Sequence, residues 1–208
     1  MIRYLIWEAR IAVPPGIWLL PILLAVLRLS GVIWPEDKGW LLFLEFVYPI
    51  LLPLLTFTIL EREKNWRTLE VLVAAPRRKA QIFLARLLYV AVPLFCTAVA
   101  ATTPGKWLLL LAPGVVLGAV ALLVGLPTEE EVGLGAALAW WGASFVIAIA
   151  QRELLGHPVA GWFFLILLPA PLTPNELLLR KWAQLGAGLA LLFVALVVAD
   201  HKRSWRPR

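Results

Sequence analysis

LLFLEFVYPILLPLLTFTIL (residues 41–60) runs directly into EREKNWRTLEVLVAAPRRK (residues 61–79), and IFLARLLYVAVPLFCTAVAATT (residues 82–103) follows at once. The two flanking stretches have the length and composition of helices that cross a hydrocarbon core of about 30 Å. Between them lies the densest charged segment of the chain. Charges are costly in hydrocarbon, so this segment belongs in water or at the membrane surface, and its excess of Arg and Lys places it on the cytoplasmic side. Two membrane spans joined by an inner loop is the pattern from which the rest is read.

Composition agrees with that pattern. The 208 residues are 62% hydrophobic and 15% charged, with a mean hydropathy of +0.86, whereas soluble domains average about 45–50% apolar and about 25% charged. The expected fold is an all-α membrane protein forming a single transmembrane domain over residues 1–208. Six spans with short loops leave no room for a nucleotide-binding or catalytic domain of about 100 residues or more. Energy for any active process is therefore expected from another chain or from an ion gradient. The net charge of +6 is read as orientation signal and lipid-headgroup contact, since the basic residues cluster beside spans at Arg62 to Arg86 and His201 to Arg208; no nucleic-acid partner is expected.

Outward from the loop, spans are placed at residues 17–33, 41–60, 82–103, 107–126, 132–150 and 183–199. Residues 1–13 read as a helix lying in the membrane interface. Ile2, Leu5, Ile6, Ala9 and Val13 share one face, Arg3, Trp7 and Arg10 the other, and Pro14-Pro15-Gly16 ends it. Glu8, Arg10 and the double proline do not fit a cleavable signal. Residues 151–182 alternate short apolar runs with charges and prolines, so they read as a broken outer segment, re-entrant or lying on the surface. Six spans put both termini on one side, and the basic tail and basic loop make it the cytoplasm.

Within the spans, Pro49 and Pro53 are expected to kink the second helix, and Glu45 is a candidate for a translocation path because an ionisable side chain there must face a neighbour or a cavity. Trp140 and Trp141, inside span five and away from the borders where Trp34, Trp40, Trp107 and Trp182 sit, are candidates for a cavity wall. Arg28 and Arg86 are expected to reach the two surfaces with their long side chains. Cys96, the single cysteine, reads as a small core or lipid-facing residue. Catalytic residues and metal ligands are not expected: His157 and His201 are far apart, no serine sits in a nucleophile elbow, no glycine-rich phosphate loop is present, and Glu129-Glu130-Glu131 lacks the Arg and His partners of an intramembrane protease. A cofactor on this chain is not expected either.

The loop itself resolves into parts. Thr68 is placed to cap a helix, Leu69, Leu72 and Val73 share one face, and Pro76 ends it at Ala75. Glu61-Arg62-Glu63-Lys64, Thr68-Leu69-Glu70 and Pro76 before a basic patch resemble the inner loop of ABC type-2 (ABC-2) exporter permeases, a family with six spans, an interfacial N-terminal helix and a broken outer segment before the sixth. Arg67 stands where that family usually has glycine, and Arg86 falls in the region where it often has lysine. The resemblance implies a transport subunit with no enzymatic activity of its own, in a bacterial or archaeal cell (inner) membrane. It implies an ABC ATPase subunit carrying ATP and Mg, a second permease (itself or a paralogue) and the lipid bilayer as partners. Coupling to the ATPase would fall within residues 61–80, on Glu61, Glu63, Thr68, Leu69, Glu70, Leu72, Val73, Pro76 and Arg77. The cargo would be hydrophobic or amphipathic and exported. A haem-exporter-type permease of cytochrome c maturation shares this length and loop, and the substrate-capturing membrane component of a vitamin importer shares the span count.

Overall fold

A computed structural model describes residues 15–31, 37–65, 79–103, 106–157, 163–167 and 172–200. Within them the regular structure is entirely helical: a 3₁₀ turn at Pro15–Trp18, then α1 (Leu19–Leu29), α2 (Lys38–Asn65), α3 (Lys79–Ala101), α4 (Trp107–Gly125), α5 (Glu130–Ala150), the short α6 (Arg152–Gly156) and α7 (Pro174–Asp200). Five of these, α2, α3, α4, α5 and α7, are long and apolar enough to cross a membrane. Six spans were expected; α1, at 11 residues, is shorter than these five. The helices expected at 1–13 and 68–75, the second of them the expected docking helix for the ATPase, and the basic tail lie outside the described residues.

Helix ends differ from the sequence-based limits for identifiable reasons. α2 starts at Lys38 because Asp37 caps it, its Oδ1 accepting from the Gly39 amide at 3.0 Å. It runs on to Asn65 because Glu61, Arg62, Glu63 and Lys64 are all good helix formers and nothing breaks the turn. It also passes unbroken through Pro49 and Pro53. α5 starts at Glu130, with two acidic residues in its first turn where the helix dipole favours them.

The largest departure is α7. The sequence reading left residues 174–182 in the broken outer segment and began the sixth span at 183; the helix begins at Pro174. Thr173 and Glu176 form a capping box: Glu176 Oε2 accepts from the Thr173 amide at 2.9 Å and from its hydroxyl at 2.7 Å, while Thr173 Oγ1 faces the Glu176 amide at 3.4 Å. Pro174 then occupies the first helical position, where its missing N–H costs nothing.

α4 is the centre of the bundle, packed against α2, α5 and α7, while α1 packs on α3. Small residues permit the close approach that membrane helices use in place of a hydrophobic driving force. Gly114 faces the backbone of Pro49, Gly125 faces Gly133 of α5, and Gly188 of α7 lies against the Val116 amide. The shared core draws Tyr48, Ile59 and Leu60 from α2, Leu87 and Leu94 from α3, and Ala195 and Ala199 from α7. Outside, Leu88, Val92, Phe95 and Val99 of α3 and Leu189, Phe193 and Val197 of α7 form exposed apolar stripes at helical spacing. Cys96 is also exposed. Such stripes suit contact with lipid.

One end of the bundle carries an aromatic cluster. Trp107 packs edge-on against Phe95 and Trp182, with ring centroids 5.5 and 6.2 Å apart, and the Trp40 indole donates to the Ala101 carbonyl at 3.1 Å. At the same end Arg28, partly exposed, donates from its guanidinium to the carbonyls of Thr102 (2.9 Å), Ala100 (3.2 Å) and Val99 (3.4 Å), satisfying the last turn of α3. Arg86 departs from expectation, being buried within the bundle.

Candidate functional site

Two charged residues sit at zero exposure inside this apolar bundle. Glu45 lies on the α2 face that also buries Leu41, Leu44 and Tyr48, and Lys181 lies on the α7 face that continues through Gln184, Gly188, Ala195 and Ala199. Their side chains meet, Lys181 Nζ to Glu45 Oε1 at 2.7 Å. Both are seven residues from the start of their helices, about 10 Å along the axis.

The pair clasps a stretch of irregular chain, Phe163 to Leu167, whose last three residues are buried. Irregular backbone outside a helix or sheet leaves its polar groups unsatisfied, and here side chains from three helices take them one by one. Trp140 Nε1 of α5 donates to the Phe163 carbonyl at 2.8 Å, and Gln184 Nε2 of α7 donates to the Phe164 carbonyl at 2.7 Å. Ser144 Oγ of α5 accepts from the Leu165 amide at 3.3 Å, and Lys181 Nζ donates to the Leu165 carbonyl at 2.7 Å. Glu45 Oε1 accepts from the Leu167 amide at 3.0 Å. Each such group left buried and unpaired would cost about 1–3 kcal/mol.

Further contacts fix the surroundings. Arg180 donates to the Leu155 carbonyl at 2.6 Å, tying α6 to α7. Trp141 Nε1 donates to the Phe46 carbonyl at 3.0 Å, its ring stacks on Phe145 with centroids 5.6 Å apart, and Phe145 meets Phe46 edge-on at 4.5 Å. Leu165 packs with Val116 and Leu117 of α4. Among the described residues the buried acceptor Gln184 Oε1 has no hydrogen-bond partner.

The three membrane candidates from the sequence, Glu45, Trp140 and Trp141, therefore do fall around one place. Their roles there are to hold backbone. Sequence reasoning missed Lys181, Gln184 and Ser144. Lys181 and Gln184 were detectable as polar residues at i and i+3 on the apolar stripe of α7, once Thr173-Pro174-Asn175-Glu176 was recognised as a helix start.

Of the coupling residues, Glu61 and Glu63 fall among the described residues. Glu61 is half-buried near the end of α2, and Glu63 lies in its last turn. Thr68, Leu69, Glu70, Leu72, Val73, Pro76 and Arg77 lie outside the described residues. The helix ends flanking them, Asn65 and Lys79, are both in place. Among the described residues no group of three or more His, Cys, Asp or Glu side chains converges as a metal site would need. Protein-family models, curated proteins and solved structures yield no match to this chain.

Proposed function

We propose that this chain is the permease subunit of an ABC transporter of the type-2 exporter kind, coupling ATP hydrolysis on a separate ATPase chain to export of a hydrophobic or amphipathic substrate. The observation that carries the proposal is the way the charged loop is mounted. α2 is 28 residues long, about 42 Å, and so exceeds a hydrocarbon core of about 30 Å by two turns. Its last turns are the Glu61–Asn65 lead of the ATPase-coupling sequence. A rigid helix that continues out of the membrane into that sequence is a lever: force on residues 66–78 reaches the centre of the bundle through α2, which packs directly on α4.

In this reading α1 and its 3₁₀ lead form the first of six spans, both termini are cytoplasmic in a bacterial or archaeal inner membrane, and the Trp40 end faces outward. The outer segment expected over residues 151–182 gives up 174–182 to α7, and its described stretch at 163–167 is read as re-entrant. Phe163 bonds to Trp140, ten residues inside the end of α5, about 15 Å deep and thus near the bilayer midplane. Non-helical backbone is tolerated at that depth only where protein or water satisfies it, and the five side-chain bonds to residues 163–167 meet that requirement. Two such permeases, identical or paralogous, would enclose the path, each with an ATPase holding ATP and Mg.

The test is purification of the tagged chain from its native membrane in mild detergent. A co-purifying ATPase at one copy per permease is expected. A stable particle without ATPase that binds a small vitamin would instead assign the importer-component reading, and co-purification with cytochrome c maturation proteins the haem-exporter one.

A further inference from the structure

We propose that residues 163–167 are the resident occupant of a binding site for a bent, non-helical apolar peptide segment, held there by the Glu45–Lys181 pair and able to leave as a unit. This names the cargo class of the transporter reading and rests on it, although the site is defined by its own geometry. α7 packs on α4 but has no comparable contact with α2 or α5 among the described residues. What fills the wedge between those helices is the Phe163–Leu167 strap.

The strap is bound in the way a peptide ligand would be. It is bound through main-chain groups, two N–H and three C=O, by Glu45, Ser144, Trp140, Gln184 and Lys181, each within 3.3 Å. Its side chains, Phe-Phe-Leu-Ile-Leu, meet apolar walls: Leu165 lies against Val116 and Leu117, and Ile166 against Ala148 and Leu155. Main-chain recognition with apolar pockets is tolerant of sequence and selective for backbone that leaves its N–H and C=O groups free. With the strap withdrawn, the wedge would be an apolar cleft lined by one carboxylate, one ammonium and three neutral hydrogen-bonding groups. Such a lining matches amide N–H and C=O groups far better than a sugar polymer or a bare hydrocarbon. The cleft also holds one acceptor more than the strap uses, the buried Gln184 Oε1, without a partner among the described residues, which an incoming N–H would satisfy.

The latch has a physical reason to be ionic. A well-packed apolar pair in place of a buried ion pair is often more stable. An ion pair, by contrast, depends on each partner being correctly placed, and so converts a displacement of α2 against α7 into loss of the strap's two strongest attachments.

Hydrogen exchange of the purified chain in nanodiscs, read by mass spectrometry on the peptide spanning 163–167, tests this without any ATPase. Wild-type amides there are expected to exchange by local opening, at least about a hundredfold faster than those of α4, as a separable unit does. An acetylated, amidated Phe-Phe-Leu-Ile-Leu peptide should displace the strap and speed its exchange about tenfold at saturation, with Lys181→Met abolishing the effect. Ser144→Ala, which removes a single acceptor, serves where Lys181→Met does not fold, and should weaken the peptide's effect by about fivefold. Strap amides that exchange together with α4, or a peptide that leaves their exchange unchanged, would overturn the proposal. A missing ATPase in the pull-down would count against the transporter reading and leave these exchange results standing.

Discussion

Substituting alanine for glycine at chosen positions separates close backbone approach from mere helix composition. At Gly133, an added Cβ would lie 2.7 Å from both Cα and N of Gly125 and closer still to the Ala121 carbonyl oxygen. These are backbone atoms of α4, so no rotamer change relieves the contact. Restoring ordinary contact at 3.4 Å requires α4 and α5 to separate by at least 0.7 Å at that point. A gap of that size forfeits about a quarter to a half of the dispersion energy across the surrounding contacts, and overpacking of this kind costs typically about 1–3 kcal/mol or more. Gly135 and Gly142, on the same helix, have nothing within 4 Å, and alanine there is favoured by up to about 1 kcal/mol of helix propensity. For a chain this long, 1 kcal/mol moves the midpoint by about 2–4 °C. Thermal unfolding in detergent, followed by tryptophan fluorescence, should then place Gly133→Ala roughly 5–10 °C below the parent and Gly135→Ala level with it or slightly above. Gly118→Ala, which meets only the Leu52 side chain at 2.8 Å, should fall between them. If Gly133→Ala melts with Gly135→Ala, the packing of α5 on α4 is wrong.

Three further outcomes are expected. Lys181→Met leaves Glu45 buried without its countercharge and should cost about 3–5 kcal/mol, of which the added Glu45→Met change recovers a large part; equal stability of parent and Lys181→Met in chemical unfolding would refute the buried pair. Thr173→Ala removes the capping box of α7 and should cost about 1 kcal/mol, seen as roughly fivefold faster amide exchange confined to the first turn; exchange spreading along α7, or none, would contradict the cap. Glu70→Ala with Leu72→Ala should leave ATP hydrolysis by the reconstituted complex running while transport into vesicles stops. Retention of both at parental rates would place the docking helix elsewhere.

How much of this was legible depends on the kind of signal. Long apolar runs placed α2, α3, α4 and α5 within a few residues, because burial of backbone in hydrocarbon leaves helix as the available form. Ends were less legible where charges are also helix formers: Glu61 to Lys64 read as loop by polarity and are helix by propensity. Pro174 read as a breaker because three other prolines, Pro158, Pro169 and Pro171, stand nearby, while the Thr173–Glu176 spacing that makes it a helix start went unused. That single error hid Lys181 and Gln184, and with them the partner of Glu45. An ionisable residue in a span was rightly singled out, but its partner lies on a helix 136 positions away, and no local pattern specifies such a pairing. The tryptophans show the same limit. Their position inside span five was visible, whereas the Phe163 and Phe46 carbonyls they satisfy belong to other elements.

The central claim is that the 61–79 sequence at the end of α2 recruits an ATPase. Capture of the tagged chain from native membranes, quantified beside a Leu72→Asp variant, measures it directly. The account predicts an ATPase retained at one copy per parental chain and lost from the variant, with thermal unfolding of the membrane helices unchanged. An ATPase absent from both captures, or held equally by both, would contradict it.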